Sequence, residues 1–261
     1  MSQNRSGRGP LERRREISGH VLTEGSVSAS ELAERFGVSV MTIYRDIGEL
    51  EREGVLRKSR GGVTAQPSGV FESNVAYRKK AMRAEKEAIA ARAATLIEPG
   101  MSVMLDDSTT ALELARLLPR IEQLTVVTNF REVLNLLAEE RGLRLMALGG
   151  DYDRLHDSFL GVPCVEAIEA LRVDLCFVST SSVHGDFAFH QEQRIVAVKR
   201  AMLKAAERNV LMIDHSKLGR TALHRLAPLT AFDTVLIDDR TPPDDLRSLD
   251  ESGVRYDVAP T

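Results

Sequence analysis

The sequence predicts an α/β protein in two parts, an N-terminal winged helix-turn-helix and a C-terminal Rossmann-like domain built on a parallel sheet. Three observations carry this expectation. Two capped helical patterns separated by a tight glycine turn fill residues 28–54. A basic, glycine-centred hairpin pattern follows them directly. Beyond residue 100, short apolar runs alternate with helical patterns, the signature of a parallel sheet with crossover helices.

Length and composition set the frame. A chain of 261 residues exceeds the roughly 100 to 200 usual for one domain. Hydrophobic residues at 43% and charged residues at 28% fit a soluble globular protein rather than a disordered or membrane one. No stretch approaches the roughly 20 apolar residues that cross a bilayer, and the polar, Arg-containing start at residues 1–10 precedes no apolar segment, so a cytoplasmic location without membrane contact is expected. Cys164 and Cys176 have no metal-ligand spacing and sit among apolar residues, as core thiols do.

The net charge is −3, but it is unevenly spread. Residues 1–66 hold eleven Lys/Arg against nine Asp/Glu, or +2, leaving −5 for residues 67–261. The excess concentrates in residues 5–15 and 55–64, and charge clustered in this way can face phosphates although the total is acidic.

Taken in order, Leu11, Ile17, Val21 and Leu22 outline one face of a first helix that Gly25 stops. Ser28 and Glu31 have the capping-box spacing, with Val27 and Leu32 at the stapling positions, so a second helix starts at Ser28 and ends at Gly37. Ser39 caps a third, whose Ile43, Ile47 and Leu50 recur on one face until Gly54. Two short helices joined in this way form a helix-turn-helix. Arg57, Lys58 and Arg60 with Gly61 and Gly62 then make a candidate wing. The expected organisation is a DNA-binding domain over residues 1–66, a linker and the start of a connecting helix over 67–84, a second domain over 85–242 and a tail over 243–261.

In the second domain the apolar runs are residues 103–105, 124–127, 143–148, 175–178, 210–213 and 235–237. Helical patterns at 110–118, 131–140, 162–171 and 192–207 fall between them, so successive strands are expected to be parallel with right-handed crossovers.

The third helix can be read as a recognition helix. At 100° per residue Ile43, Ile47 and Leu50 point inward, leaving Met41, Thr42, Tyr44 and Arg45 outward. Thr42, Tyr44 and Arg45 lie near the helix start, where base edges are contacted, and Arg can pair bidentately with guanine. Ser39, Arg52, Arg57, Lys58 and Arg60 complete the expected interface with a double-stranded DNA operator. A merely solvated helix face in a protein-interaction domain would also expose Arg and Thr, but it would not need two caps, a tight turn and a basic wing in order.

Open parallel sheets bind ligands beyond the C-terminal ends of their strands, and polar residues cluster there: Asp106 to Thr110, Thr128-Asn129, Gly149-Gly150-Asp151, Ser179 to Ser182 and Asp214 to Lys217. Ser108, Thr109 and Thr110 open a helix where hydroxyls and free N–H groups can meet an anion, and Lys217 adds a full positive charge. Asp106, Asn129 and Asp214 suit hydroxyl groups, and Gly149 and Gly150, in the loop after the third strand, are counted in the same effector site. Together these describe a site for a phosphorylated sugar or polyol. The bland alternative is that the hydroxyls cap a helix, the glycines turn the chain and Asp214 pairs locally with Lys217. His184, His190 and His215 match no ligand motif, so neither a metal nor another cofactor is expected.

On these residues the chain resembles the DeoR family of bacterial transcriptional regulators over roughly residues 11–240. Val38-Ser39, the run from Thr42 to Ile47, Leu50-Glu51, Gly54 and Arg60-Gly61-Gly62 look like its helix-turn-helix and wing. Glu85-Lys86, Ile89-Ala90, the 106–110 loop, Val127-Thr128-Asn129, Gly149-Gly150, Val198-Lys199-Arg200 and the 214–217 segment look like its sensor domain. The resemblance implies a sensor domain similar in fold to ribose-5-phosphate isomerase, control by phosphorylated sugar-metabolism intermediates and a repressor of carbohydrate genes. A homo-oligomer is expected on separate grounds, because helix-turn-helix proteins commonly dimerise to read paired half-sites. Tyr44, Ser108 and Phe130 depart from the family's common arginine, glycine and small residue. An enzyme, a phosphosugar isomerase with an added DNA-binding module, is the alternative. No isomerase-like acid/base motif with a Gly-rich lysine loop is present, so no catalytic residue is expected.

Overall fold

The computed structural model describes residues 9–24, 26–52, 56–59, 61–65, 78–79 and 81–261. It divides into two compact units, Met1–Ala81 and Met82–Thr261.

The first unit contains α1 (Pro10–Glu24), β1 (Ser26–Ser28), α2 (Ala29–Phe36), α3 (Val40–Arg52), β2 (Leu56–Ser59) and β3 (Gly62–Ala65). Both expected caps are in place. Ser28 Oγ accepts from the Glu31 N–H at 3.1 Å, and Ser39 Oγ accepts from the Thr42 N–H at 3.1 Å. Gly37 ends α2 at φ 63°, a left-handed conformation that costs glycine least. Ile17, Val21, Leu32, Ile43, Ile47 and Leu50 close one core with Leu56 and Val63 of the hairpin. The wing is wider than the sequence suggests, because β1 joins it as a third antiparallel strand in the order β1-β3-β2. Gly62 permits this pairing, since a Cβ there would lie 2.3 Å from the Val27 carbonyl oxygen. Gly25, Gly54, Arg60 and the linker over 67–77 lie outside the described residues, as do the side chains of Leu11 and Leu22.

The second unit opens with α4 (Arg83–Ala94) and alternates strands with helices: β4 (Ser102–Leu105), α5 (Thr109–Ala115), β5 (Thr125–Thr128), α6 (Arg131–Leu137) and β6 (Arg144–Ala147). After a hairpin of β7 (Asp151–Asp153) and β8 (Ser158–Leu160) come α7 (Val162–Glu169), β9 (Val173–Val178), β10 (Ser182–His184) and β11 (Phe187–His190). The chain continues with α8 (Gln193–Ala205), β12 (Ala206–Met212), β13 (His224–Pro228), β14 (Thr234–Asp238), α9 (Pro243–Glu251) and β15 (Tyr256–Ala259). Seven strands form one sheet in the order β15-β14-β12-β9-β4-β5-β6, and every neighbouring pair is parallel.

Residues 243–261, expected as a tail, are instead α9 and the edge strand β15, which pairs with β14 from Tyr256–Val235 to Ala259–Asp238. Leu249, Val254 and Ala259 are buried there, so this segment completes the core. The small antiparallel sheet β10-β11-β13 and the β7–β8 hairpin also had no counterpart in the sequence reading.

From β4 the chain winds outward through β5 and β6, then returns to place β9 on the other side of β4 and winds the opposite way. The order therefore reverses between β4 and β9, and the crevice at that reversal is where doubly wound sheets hold ligands.

Candidate functional site

On the first unit, α3 presents Met41 at 65% exposure and Tyr44 at 40%, with Arg45 exposed and Thr42 half-buried beside them. Neither Arg45 nor the exposed Arg57 of β2 makes an ion pair with a described residue. Ser39 Oγ is occupied by its cap and by the Thr42 hydroxyl at 2.9 Å. Two expected phosphate contacts have internal partners: Arg52 pairs with Glu49, and Lys58 Nζ lies 2.7 Å from Glu51 Oε2. Part of the basic N-terminal cluster is structural as well. Arg13 Nε donates to Asp46 Oδ2 at 2.6 Å and Arg14 Nε lies 3.9 Å from Asp46 Oδ1, tying α1 to the inner side of α3.

On the second unit, the loops after β4, β5, β9 and β12 gather buried polar residues: Asp106 to Thr110, Thr128-Asn129, Ser179 to Ser182, and Asp214. Asp106 is fully buried and already engaged. Its Oδ1 accepts from the Ser108 N–H at 3.0 Å, its Oδ2 from the Ser179 N–H at 2.7 Å, and Lys199 of α8 pairs with it. Lys199 Nζ also lies 3.2 Å from Asp107 Oδ1, while Ser158 Oγ donates to Asp107 Oδ2 at 3.1 Å. Burial alone would lower the Lys199 pKa, but the two carboxylates outweigh it and hold it above the ordinary lysine value. Asp106 thus ties β4, β9 and α8 together at the reversal point.

Ser108 Oγ caps α5 by accepting from the Ala111 N–H at 3.0 Å, and Thr109 and Thr110 follow it, buried. Asn129 Nδ2 donates to the Phe159 carbonyl at 2.9 Å, while its Oδ1 is buried without a hydrogen-bond partner, as is Ser182 Oγ. Gly150 sits at φ 140°, where a Cβ would lie 2.4 Å from the Leu160 carbonyl, so it serves the β7–β8 packing. A Cβ on Gly149 would meet nothing within 4 Å.

Asp214 accepts from the Ser216 N–H at 3.1 Å. Burial pushes its pKa up, yet the charges of Lys217 and of Lys86 on α4, with the Ser216 hydroxyl, bring it below the ordinary carboxylate value. Asp106 and Asp107 share one cation, Lys199, whereas Asp214 has two acting on it, Lys86 and Lys217; the neighbouring buried carboxylate, Asp238, is taken by His215, whose Nδ1 lies 2.8 Å from its Oδ1. Among the described residues no grouping of His, Cys, Asp and Glu could hold a metal ion. Both cysteines are buried free thiols, and burial raises the Cys164 pKa to about 11.

Lys199 and Lys86 belong to motifs of the family resemblance, which assigns a role to neither. Lys199 had a readable signal. It falls between Ile195 and Met202 on the buried stripe of α8, and a lysine on an apolar stripe needs a carboxylate partner.

Residues 13–68 match the family model described as the DeoR-like helix-turn-helix domain, and residues 81–239 match the DeoR C terminal sensor domain. The chain belongs to the DeoR family of transcriptional regulators. Its helix-turn-helix is the family's DNA-binding module. Relatives include the transcriptional repressor AccR of Agrobacterium fabrum, 31% identical over 84% of this chain and 85% of that protein. The glycerol-3-phosphate regulon repressor of Escherichia coli is 29% identical over 91% of this chain and 94% of its own. The L-fucose operon activator of Haemophilus influenzae is 31% identical over 87% and 91%. Among solved structures, ribose 5-phosphate isomerase A of Methanocaldococcus jannaschii has 18% identity and a TM-score of 0.37 over 51% of this chain and 53% of that one. Among the described residues, no helix is long and apolar enough to cross a membrane.

Proposed function

We propose that this DeoR-family regulator is a cytoplasmic repressor of carbohydrate-metabolism genes, whose hold on its operator is controlled by a phosphorylated sugar or polyol bound at the rim of the second unit. The observation that supports this reading is the buried polar rim at the C-terminal ends of the strands, where Asn129 Oδ1 and Ser182 Oγ lack partners and where two lysines, Lys86 and Lys217, act on the buried Asp214. Buried polar atoms are nearly always hydrogen-bonded, so orphans lining one rim suit a ligand with hydroxyl groups. The relative named for the glycerol-3-phosphate regulon agrees with this ligand class.

In this reading Lys217 and Lys86 face the phosphate, and Thr109, Thr110, Asn129, Ser182 and Asp214 face hydroxyls, with the backbone at Gly149 open to the ligand. Ser108 and Asp106 act as positioning residues, the first as a helix cap and the second through Lys199. That engagement also supports a sensor rather than a catalyst. A carboxylate already accepting from two backbone N–H groups and a lysine is a poor proton acceptor for an isomerisation.

Arg45, Thr42, Tyr44 and Met41 contact bases, and Arg57 and Arg60 contact phosphates. The effector shifts DNA affinity only insofar as it binds the operator-bound and free conformations differently. A thermal-shift screen of the full chain against phosphorylated sugars and their dephosphorylated forms, followed by operator binding with each hit, is the test. A hit that stabilises the protein and releases DNA supports the reading. Turnover of the hit, or equal stabilisation by its dephosphorylated form, defeats it.

A further inference from the structure

The turn between β7 and β8 holds a buried histidine whose hydrogen bonding is incomplete. His156 is 4% exposed, while its neighbour Leu155 is 48% exposed, so the turn directs the ring inward and the apolar side chain outward. The His156 backbone N–H donates to Asp153 Oδ1 at 3.0 Å, and the ring Nδ1 lies 3.1 Å from the same oxygen. Nε2 is buried and has no hydrogen-bond partner.

The hairpin that carries this ring is joined to the rim. Ser158 Oγ donates to Asp107 Oδ2 at 3.1 Å. The Phe159 N–H donates to the Asn129 carbonyl at 2.9 Å, and Asn129 Nδ2 returns a bond to the Phe159 carbonyl at 2.9 Å. The Arg131 N–H donates to the Asp157 carbonyl at 3.1 Å, and Arg131 Nε to Asp157 Oδ1 at 2.6 Å. Asp157, between His156 and Ser158, is held at φ 56°. A non-glycine residue keeps that left-handed backbone only where its surroundings over-determine it. Residues 156–159 therefore run beside 129–131 in a fixed path, and each segment offers one orphaned, buried atom: His156 Nε2 and Asn129 Oδ1.

We infer that His156 is a specificity-determining residue of the effector site, its Nε2 meeting a hydroxyl of the bound sugar or polyol. The inference rests on the effector reading above and names the end of the ligand that the hairpin selects. Nδ1 faces the Asp153 carboxylate, which only accepts, so the neutral ring carries its proton there and Nε2 is an acceptor; Nε2 and Asn129 Oδ1 each take a proton from a hydroxyl, which a ligand with hydroxyls at this end supplies. A phosphate is less suited to this end, because the two orphaned atoms both accept and an ionised phosphate brings no proton to them, whereas Lys86 and Lys217 act on Asp214. The ligand is then oriented with its phosphate toward Lys86 and Lys217 and its hydroxyls toward His156 and Asn129. A site built to hydrogen-bond a hydroxyl rejects the analogue lacking it, since its own buried group is left unpaired.

Isothermal titration of the full chain with glycerol 3-phosphate, ribose 5-phosphate, fructose 6-phosphate, glucitol 6-phosphate and inorganic phosphate tests this. His156→Ala should weaken the tightest of the sugar and polyol phosphates by about three- to thirtyfold and reorder the series, while inorganic phosphate and operator DNA bind as they do to the parent. His156→Gln, whose amide can reach the Nε2 position, should recover part of the loss, and it carries the test if the alanine variant does not fold. If the parent binds a member of the series and both variants keep its affinity and order, His156 is not a specificity residue. If nothing in the series binds the parent, the effector reading itself falls, and this inference with it.

Discussion

Lys199 on α8 and Asp106 after β4 form an ion pair in which the side chains are 3% and 0% exposed, and Asp107 shares the same ammonium at 3.2 Å. Removing the lysine would leave two buried carboxylates without their cation. Lys199→Met should destabilise the second unit by about 3 to 5 kcal/mol in urea unfolding. The sign of its pH dependence follows from which charge is left. In the parent, the raised Lys199 pKa means that its contribution is complete below the ordinary lysine value and is lost as pH rises through the folded value. In the variant, lowering pH from about 8 to about 5 should restore stability, because protonation neutralises an unpaired buried carboxylate. A variant as stable as the parent, or one that weakens further with acid, would show that the pair does not hold this junction.

Arg45 and Arg57 should separate on DNA. Arg45 lies at the exposed start of α3 and Arg57 on β2 of the wing, and neither has an ion-pair partner among the described residues. Arg45→Ala should weaken cognate-operator binding by about 1 to 3 kcal/mol with a smaller effect on random DNA. Arg57→Ala should weaken both, and reduce the salt slope by about one. Fluorescence anisotropy on operator and scrambled duplexes across a salt series reads both, and equal losses for Arg45→Ala on the two duplexes would remove it from the base-reading set.

The legible parts of the fold were those whose signals are local. The capping box at Ser28 and Glu31, the αL glycine at Gly37 and the alternation of apolar runs with helical patterns each sit within a few residues of the structure they specify. The β10-β11-β13 sheet was not legible, because Phe187 and Pro228 pair across some forty residues and either run alone is too short to show a period. The edge strand β15 escaped for a related reason: three of its four residues are half-buried, so it lacks a continuous apolar run. In the site, polar loops after strands were readable from the βα alternation, whereas their wiring was not. That Asp106 is consumed by Lys199, and Arg13 by Asp46, are long-range facts between side chains 93 and 33 residues apart. Electrostatic bookkeeping along the chain therefore overstated the charge available to DNA.

The full chain should be a dimer or larger symmetric oligomer at micromolar concentration. One helix of the size of α3, Val40–Arg52, reaches only a few base pairs. Linking two recognition helices raises affinity through effective concentration and matches a two-half-site operator. Light scattering measures this directly, and a monomer at that concentration, on or off DNA, contradicts it.

Lys217→Ala tests the polarity of the effector site. Lys217 and Lys86 act on the same buried carboxylate, Asp214, and keep its pKa low against the effect of burial. Removing Lys217 takes away one of the two lysines that act on Asp214 while Lys86 remains, so the buried carboxylate keeps a counter-ion and the ligand loses one. A charge-assisted contact of this kind is worth about 1.5 to 3 kcal/mol, or roughly ten- to a hundredfold in affinity for a phosphorylated effector. The dephosphorylated form should bind parent and variant alike, since it never used the charge. Operator affinity without effector should barely move, because Lys217 belongs to the second unit and the base-reading residues to the first. With effector, the variant should therefore remain on DNA at ligand concentrations that release the parent. Titration calorimetry with both ligand forms, beside operator release by anisotropy, gives the four numbers needed. Unchanged affinity in the variant, or equal binding of the two ligand forms by the parent, would move the phosphate away from Lys217.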